Sequence, residues 1–200
     1  MTLYGFLCWV AKYLIIWIFP VKLVGNPMLP DGCIVCSNHI SNWDPIFIAC
    51  MLKSKIHVMG KAELFKLKII GNFFKKINVF PVKRGANDIG AIKEAIRIIK
   101  EGNNLLLFPE GTRKSGKKPQ IEDAKAGIGL IAANTGVDIV PILVYNKGYR
   151  VRIFHKTYVI IGEPIPKSEY IAYAGDNKHK ISEYIFIKII EVLDKFESKQ

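Results

Sequence analysis

Cysteine is scarce in this 200-residue chain, and Cys8, Cys33, Cys36 and Cys50 all fall in its first quarter. With no later pair to complete a four-ligand zinc site or a regular disulfide framework, the disulfide-stapled and zinc-ribbon classes are excluded, and a reducing cytosolic setting fits. Cys33 and Cys36 do form a C-x-x-C, but inside the apolar run GCIVCSN, which reads as a buried strand rather than a redox turn. His57, His155 and His179 are scattered without ligand spacing, so no metal site and no cofactor are expected. Acidic residues are also few: 17 Asp and Glu face 29 Lys and Arg, for a formal charge of +12. The partner is therefore anionic, whether nucleic acid, an acidic membrane surface or an acidic substrate. Nothing resembling an RNA-stacking motif or a recognition helix supports nucleic acid.

The N-terminus lacks a basic n-region and a small-x-small cleavage site, which excludes an ordinary signal peptide. Residues 3–19, LYGFLCWVAKYLIIWIF, form the longest apolar run, but it reaches only the lower limit of a spanning helix and carries Lys12 at its middle. Trp9, Tyr13 and Trp17 suit the headgroup boundary, where an aromatic ring keeps its polar end wet. Residues 1–25 are therefore expected to form an interfacial anchor helix, and residues 26–200 one domain with a substantial core. The expected location is the cytoplasmic face of the cell membrane.

After the turn-rich VGNPMLPDG, the ordered elements should start near residue 31. CIVCSN reads as a strand, DPIFIACMLK as a helix, and INVFPV as a strand whose Pro81 marks an edge. Ile89, Ile92, Ile96 and Ile99 share a face of a helix over 87–102, capped by Asn87 and stopped at Gly102. NLLLF is a continuous apolar strand, a helix spans about 124–135 before Gly136, and VDIVPILV and RVRIFHKTYVIIG are extended. EYIFIKIIEVLDKFESK closes the chain as an amphipathic helix. The alternation argues an α/β fold: a mixed, largely parallel sheet flanked by helices.

Three clusters carry chemistry. Asn38-His39-Ile40-Ser41-Asn42-Trp43-Asp44 follows a strand, where such folds put their sites. An Asp five positions after a His can turn back to fix the imidazole tautomer and leave the other nitrogen basic. Phe108-Pro109-Glu110-Gly111-Thr112-Arg113 follows NLLLF; Gly111 permits a tight turn whose amides can face an anion, and Arg113 offers a fork that matches phosphate. The overlapping GTRKSGKK is no phosphate loop, because Lys118 stands where a Ser or Thr would hold Mg²⁺ and no helix opens after it. Phe80-Pro81-Val82-Lys83-Arg84-Gly85 brings a second guanidinium.

These clusters together resemble the PlsC-type glycerolipid acyltransferases, which include 1-acylglycerol-3-phosphate acyltransferases. Asn38, His39 and Asp44 match N-H-x-x-x-x-D, the VFPVKR run and Arg84 match the second block, and Phe108 to Arg113 match F-P-E-G-T-R without change. Ile139, Val140 and Pro141 look like the apolar fourth block, and the blocks stand in family order over roughly residues 31–165. Lys83 stands where an acidic residue is common in the family. The resemblance implies a glycerolphosphate acyltransferase-like fold and direct acyl transfer, with His39 as general base steadied by Asp44. It implies that Arg84, Glu110, Gly111, Thr112 and Arg113 hold the acceptor, 1-acylglycerol 3-phosphate acylated at its sn-2 hydroxyl to phosphatidic acid, or alternatively another lyso-lipid or glycerol 3-phosphate, with acyl-ACP or acyl-CoA as donor. A covalent Cys36–His39 enzyme and a non-catalytic lipid binder are the rivals.

Nine basic residues lie between Lys53 and Arg84 against the single acid Glu63. A helix over 64–77 would put Lys68, Asn72, Lys75 and Lys76 on one side, and Leu67, Ile70, Phe73, Phe74 and Ile77 on the other. That pattern fits a helix lying on anionic lipid or an ordinary surface helix packed on the core, and acidic acyl carrier protein could also dock on its lysines.

Overall fold

A computed structural model describes residues 5, 6, 9, 10, 13, 17–82 and 88–199. Seven strands form one sheet: β1 (Val21–Val24), β2 (Ile34–Ser37), β3 (Ile56–Lys61), β4 (Val79–Val82), β5 (Asn104–Leu107), β6 (Ile139–Asn146) and β7 (Thr157–Ile161). Their order is β1-β7-β6-β2-β5-β3-β4, and β6–β7 is the one antiparallel pair. The helices are α1 (Asp44–Met51), α2 (Lys68–Lys76), α3 (Ile89–Lys100), α4 (Ala126–Thr135), α5 (Lys167–Ala174) and α6 (Lys178–Glu197).

Burial on both faces of the sheet explains why its central strands are uninterrupted apolar runs. Side-chain alternation sends Cys36, Leu105, Leu107 and Leu143 under α3, α4 and α6. Val35, Leu106, Val140 and Val144 go to the other face, against Phe47 and Ile48 of α1. Helix α4 meets α6 so closely that a Cβ at Gly129 would stand 1.8 Å from the Lys178 carbonyl oxygen, so no other residue fits there. Gly136, at φ 63°, ends α4 in the left-handed conformation its position predicts.

Several elements differ from the sequence reading. β1 lies inside the 1–25 segment assigned to an anchor and pairs with β7, so the sheet begins at Val21 rather than near residue 31. VKLV is too short to separate from the apolar run before it. β3 and α5 carry weak patterns: IHVMGK is interrupted by His57 and Gly60, and α5 buries only Tyr170 and Ala174. Of RVRIFHKTYVIIG only Thr157–Ile161 is strand, because Phe154 turns at φ 62°. Asp88 rather than Asn87 caps α3, accepting from the Ala91 amide at 3.0 Å; Asn87 lies outside the described residues. The helix expected over 64–77 is a 3₁₀ turn at Ala62–Phe65 followed by α2. Near the N-terminus, Gly5, Phe6, Trp9, Val10, Tyr13, Trp17 and Ile18 are helical. Among the described residues no helix is long and apolar enough to cross a membrane.

Candidate active site

β2 and β5 are parallel neighbours, with Cys36 opposite Leu107, so the segments that follow them leave the same end of the sheet side by side. That adjacency joins the Asn38–Asp44 turn to the Phe108–Arg113 turn. Asn38 continues the β2–β6 ladder through its side chain: its amide nitrogen donates to the Val144 carbonyl at 3.0 Å, and its oxygen accepts from the Val144 amide at 2.8 Å. A buried amide satisfied on both sides fixes where the next residue begins.

His39 is gripped at every other handle. Its backbone N–H donates to Glu110 Oε2 at 2.8 Å, and its carbonyl accepts from the Lys114 amide at 2.7 Å. Its ring stacks on Phe108 with centroids 4.1 Å apart. Nδ1 lies 2.9 Å from Asp44 Oδ2. Asp44 is the first residue of α1 and fully buried, and the same oxygen accepts from the Ile40 and Ser41 amides at 2.7 Å each. An ionised carboxylate oxygen can only accept, so the Nδ1 facing it carries the proton and Nε2 is the basic nitrogen. Burial pushes the Asp44 carboxyl above its ordinary value, and its bond to His39 foremost, with the two amides, pulls it back. Glu110 is raised as well, to about 8, by burial first, then by Asp123 and Asp44, with the His39 amide opposing. At neutral pH it is therefore mainly a neutral acid beside the His39–Asp44 pair.

The turns border an open groove of about 380 Å³ lined by Ile40, Ser41, Asn42, Trp43, Thr112, Arg113 and Ser115. Thr112 and Arg113 are exposed along it. Two expected acceptor contacts are placed elsewhere. Glu110 is 1% exposed and turned to the His39 backbone instead of the groove, and its Oε1 has no partner among the described residues. The Gly111 amide donates to the Phe108 carbonyl at 3.0 Å, so it closes the turn rather than facing an anion. Gly111, at φ 64°, also makes room for a cation the sequence reading missed: Lys125 Nζ lies 3.5 Å from where a Cβ at Gly111 would stand. No motif flags Lys125, because only the turn over Pro109, whose carbonyl accepts from its amide, brings it there. Arg84 and Lys83 lie outside the described residues.

The cysteine alternative has no geometric support. Cys36 lies in β2 with its thiol fully buried, and burial drives its pKa well up; Cys33 is raised to about 12 by the same cause. Neither supplies a thiolate. Among the described residues no cluster of His, Cys, Asp or Glu could hold a metal ion. Trp9, Tyr13 and Trp17 are exposed, as are Lys68, Lys75 and Lys76.

The family model described as Acyltransferase matches residues 20–145. The 1-acyl-sn-glycerol-3-phosphate acyltransferase of Bacillus subtilis (strain 168) is 35% identical over 156 residues, covering 75% of this chain and 76% of the relative. That of Streptococcus pneumoniae (strain ATCC BAA-255 / R6) is 33% identical over 118 residues, covering 58% of this chain and 42% of the relative. The crystal structure of the 1-acyl-sn-glycerophosphate acyltransferase PlsC from Thermotoga maritima superposes with a TM-score of 0.72 at 22% identity, over 96% of this chain and 79% of that one. The last likeness shows the shared α/β fold; the match over 126 residues and the identity to the Bacillus protein show that this chain belongs to the PlsC-type acyltransferase family.

Proposed function

We propose that this enzyme moves a fatty acyl group from acyl-ACP or acyl-CoA to the sn-2 hydroxyl of 1-acylglycerol 3-phosphate, giving phosphatidic acid, with His39 as general base. The observation that carries the reading is the 2.9 Å approach of His39 Nδ1 to a buried, doubly amide-bonded Asp44 carboxylate. The acceptor hydroxyl gives its proton to Nε2 as its oxygen forms a bond to the thioester carbonyl carbon. Collapse of the tetrahedral intermediate breaks the carbon–sulfur bond, and the proton passes to the leaving thiolate. Asp44 steadies the imidazolium in between, and general-base help of this kind is worth about 10²- to 10⁴-fold. No covalent acyl-enzyme is needed.

Arg113 and Thr112, already on the groove, are assigned to the acceptor phosphate and glycerol, with Lys125, beside Gly111, as a further cation for the phosphate; Arg84 is assigned to the same phosphate on the family resemblance alone. Glu110 acts through the His39 backbone, and Gly111 through the turn it allows. Residues before β1, with Trp9, Tyr13 and Trp17 exposed, hold the enzyme to the cytoplasmic face of the membrane. No cofactor enters this chemistry, in which the thioester is a co-substrate.

The test is to incubate the purified protein with a labelled acyl thioester and 1-acylglycerol 3-phosphate, following thiol release and phosphatidic acid. Glycerol 3-phosphate and other lyso-lipids run in parallel decide the acceptor. Thiol release that survives His39→Ala but not Cys36→Ala would overturn the general-base reading, and binding without thiol release would make the protein a lipid binder.

A further inference from the structure

Among the described residues, the most exposed large hydrophobic side chain, Ile69, lies on α2, an element that contributes nothing to the catalytic turns. Ile69 is 87% exposed and Leu67 64%, and Leu64, Ile70 and Phe73 are all over 40%. Helix α2 folds back on the 3₁₀ turn before it through Gly71, where a Cβ would stand 2.9 Å from the Phe65 carbonyl oxygen, and through Phe74, whose ring is 5.8 Å from that of Phe65. Helical spacing turns Ile69 and Phe73 away from that contact, while Ile70 shares the flank of Phe74 and is still 41% exposed. Water thus covers an aliphatic crest that an ordinary surface helix would have packed inward.

We propose that this crest inserts into the headgroup boundary of an anionic bilayer, as a membrane contact separate from the N-terminal segment. Charge complementarity selects the occupant. Lys66, Lys68, Lys75 and Lys76 are exposed beside the crest, and the segment's only acid is Glu63. Long lysine stems can lie along the buried apolar side chains while the ammonium groups reach lipid phosphates. An acidic carrier protein would engage the lysines and leave the foremost side chain, Ile69, in water. The 3₁₀ turn and the start of α2 leave the carboxyl end of β3, parallel neighbour of β5, so the crest shares the His39 end of the sheet. Insertion there sets the groove at the lipid surface.

The test uses the full chain with Cys8→Ser; Cys33, Cys36 and Cys50 are buried and do not take label. Ile69→Cys, and separately Tyr173→Cys on α5, carry an environment-sensitive fluorophore. With phosphatidylcholine vesicles containing phosphatidylglycerol, the label at 69 should shift to the blue and be quenched by nitroxides on the lipid chains, while that at 173 stays aqueous. Lys75→Gln and Lys76→Gln should each weaken vesicle partitioning about fivefold. The proposal is overturned if the protein does not bind these vesicles, or binds them with position 69 still open to aqueous iodide. It is equally overturned if holo acyl carrier protein, and not vesicles, covers position 69. The readout involves no catalysis, so it is independent of the role of His39.

Discussion

Glu110→Gln separates two jobs for one carboxyl. Glutamine keeps an oxygen to accept from the His39 amide, as Oε2 does at 2.8 Å, and cannot ionise. Wild-type Glu110 titrates at about 8 when folded, against an ordinary 4.5. The folded-state value is the higher one, so at pH between the two the unfolded chain releases a proton that the folded chain keeps, and stability falls as pH rises through that window. The full difference is on the order of 5 kcal/mol, present below pH 4.5 and lost above about 8. Urea melts followed by far-UV circular dichroism across that range should show the variant nearly matching wild type at the acid end and gaining on it steadily toward pH 8.5. Its kcat/KM should stay within about tenfold, because the carboxyl works through the backbone of His39. A stability difference that is flat with pH would refute the titration, and a hundredfold loss of kcat/KM in a stable variant would refute the placement by showing that the carboxylate meets the acceptor.

Asp44→Asn retains an acceptor for the Ile40 and Ser41 amides but removes the charge that steadies the imidazolium, so kcat in the thiol-release assay should fall about 10²- to 10⁴-fold with little change in KM. Arg113→Ala should cost about 1.5–3 kcal/mol in kcat/KM for a phosphate-bearing acceptor, mostly through KM, and spare an acceptor without phosphate. Asn38→Ala strands both backbone groups of buried Val144, and should lower stability by about 2–4 kcal/mol in a thermal or urea melt.

Legibility in the sequence followed burial. Strands β2, β5 and β6 were readable because both faces of the sheet are covered, which leaves uninterrupted apolar runs. Helices α3, α4 and α6 were readable from apolar spacing and, for α4, from Gly136. β1 and β3 were not, since strands at or near the sheet margin alternate weakly and carry Lys22, His57 and Gly60. The break before α2 depends on the contact of Gly71 with Phe65, which no local pattern encodes. At the site, the His39–Asp44 pairing follows from a five-residue return and was visible in the motif. The inward turn of Glu110 and the arrival of Lys125 depend on which strands are neighbours, information that spacing along the chain does not hold.

The oxygen that aims the imidazole also collects the Ile40 and Ser41 amides at the threshold of α1. Assembling that helix start and arming the base are consequently a single event. Local fraying of this one turn would release the ring from its partner and silence the enzyme while the sheet beneath stayed intact, so catalytic competence here reports on a few residues' worth of order rather than on the whole fold.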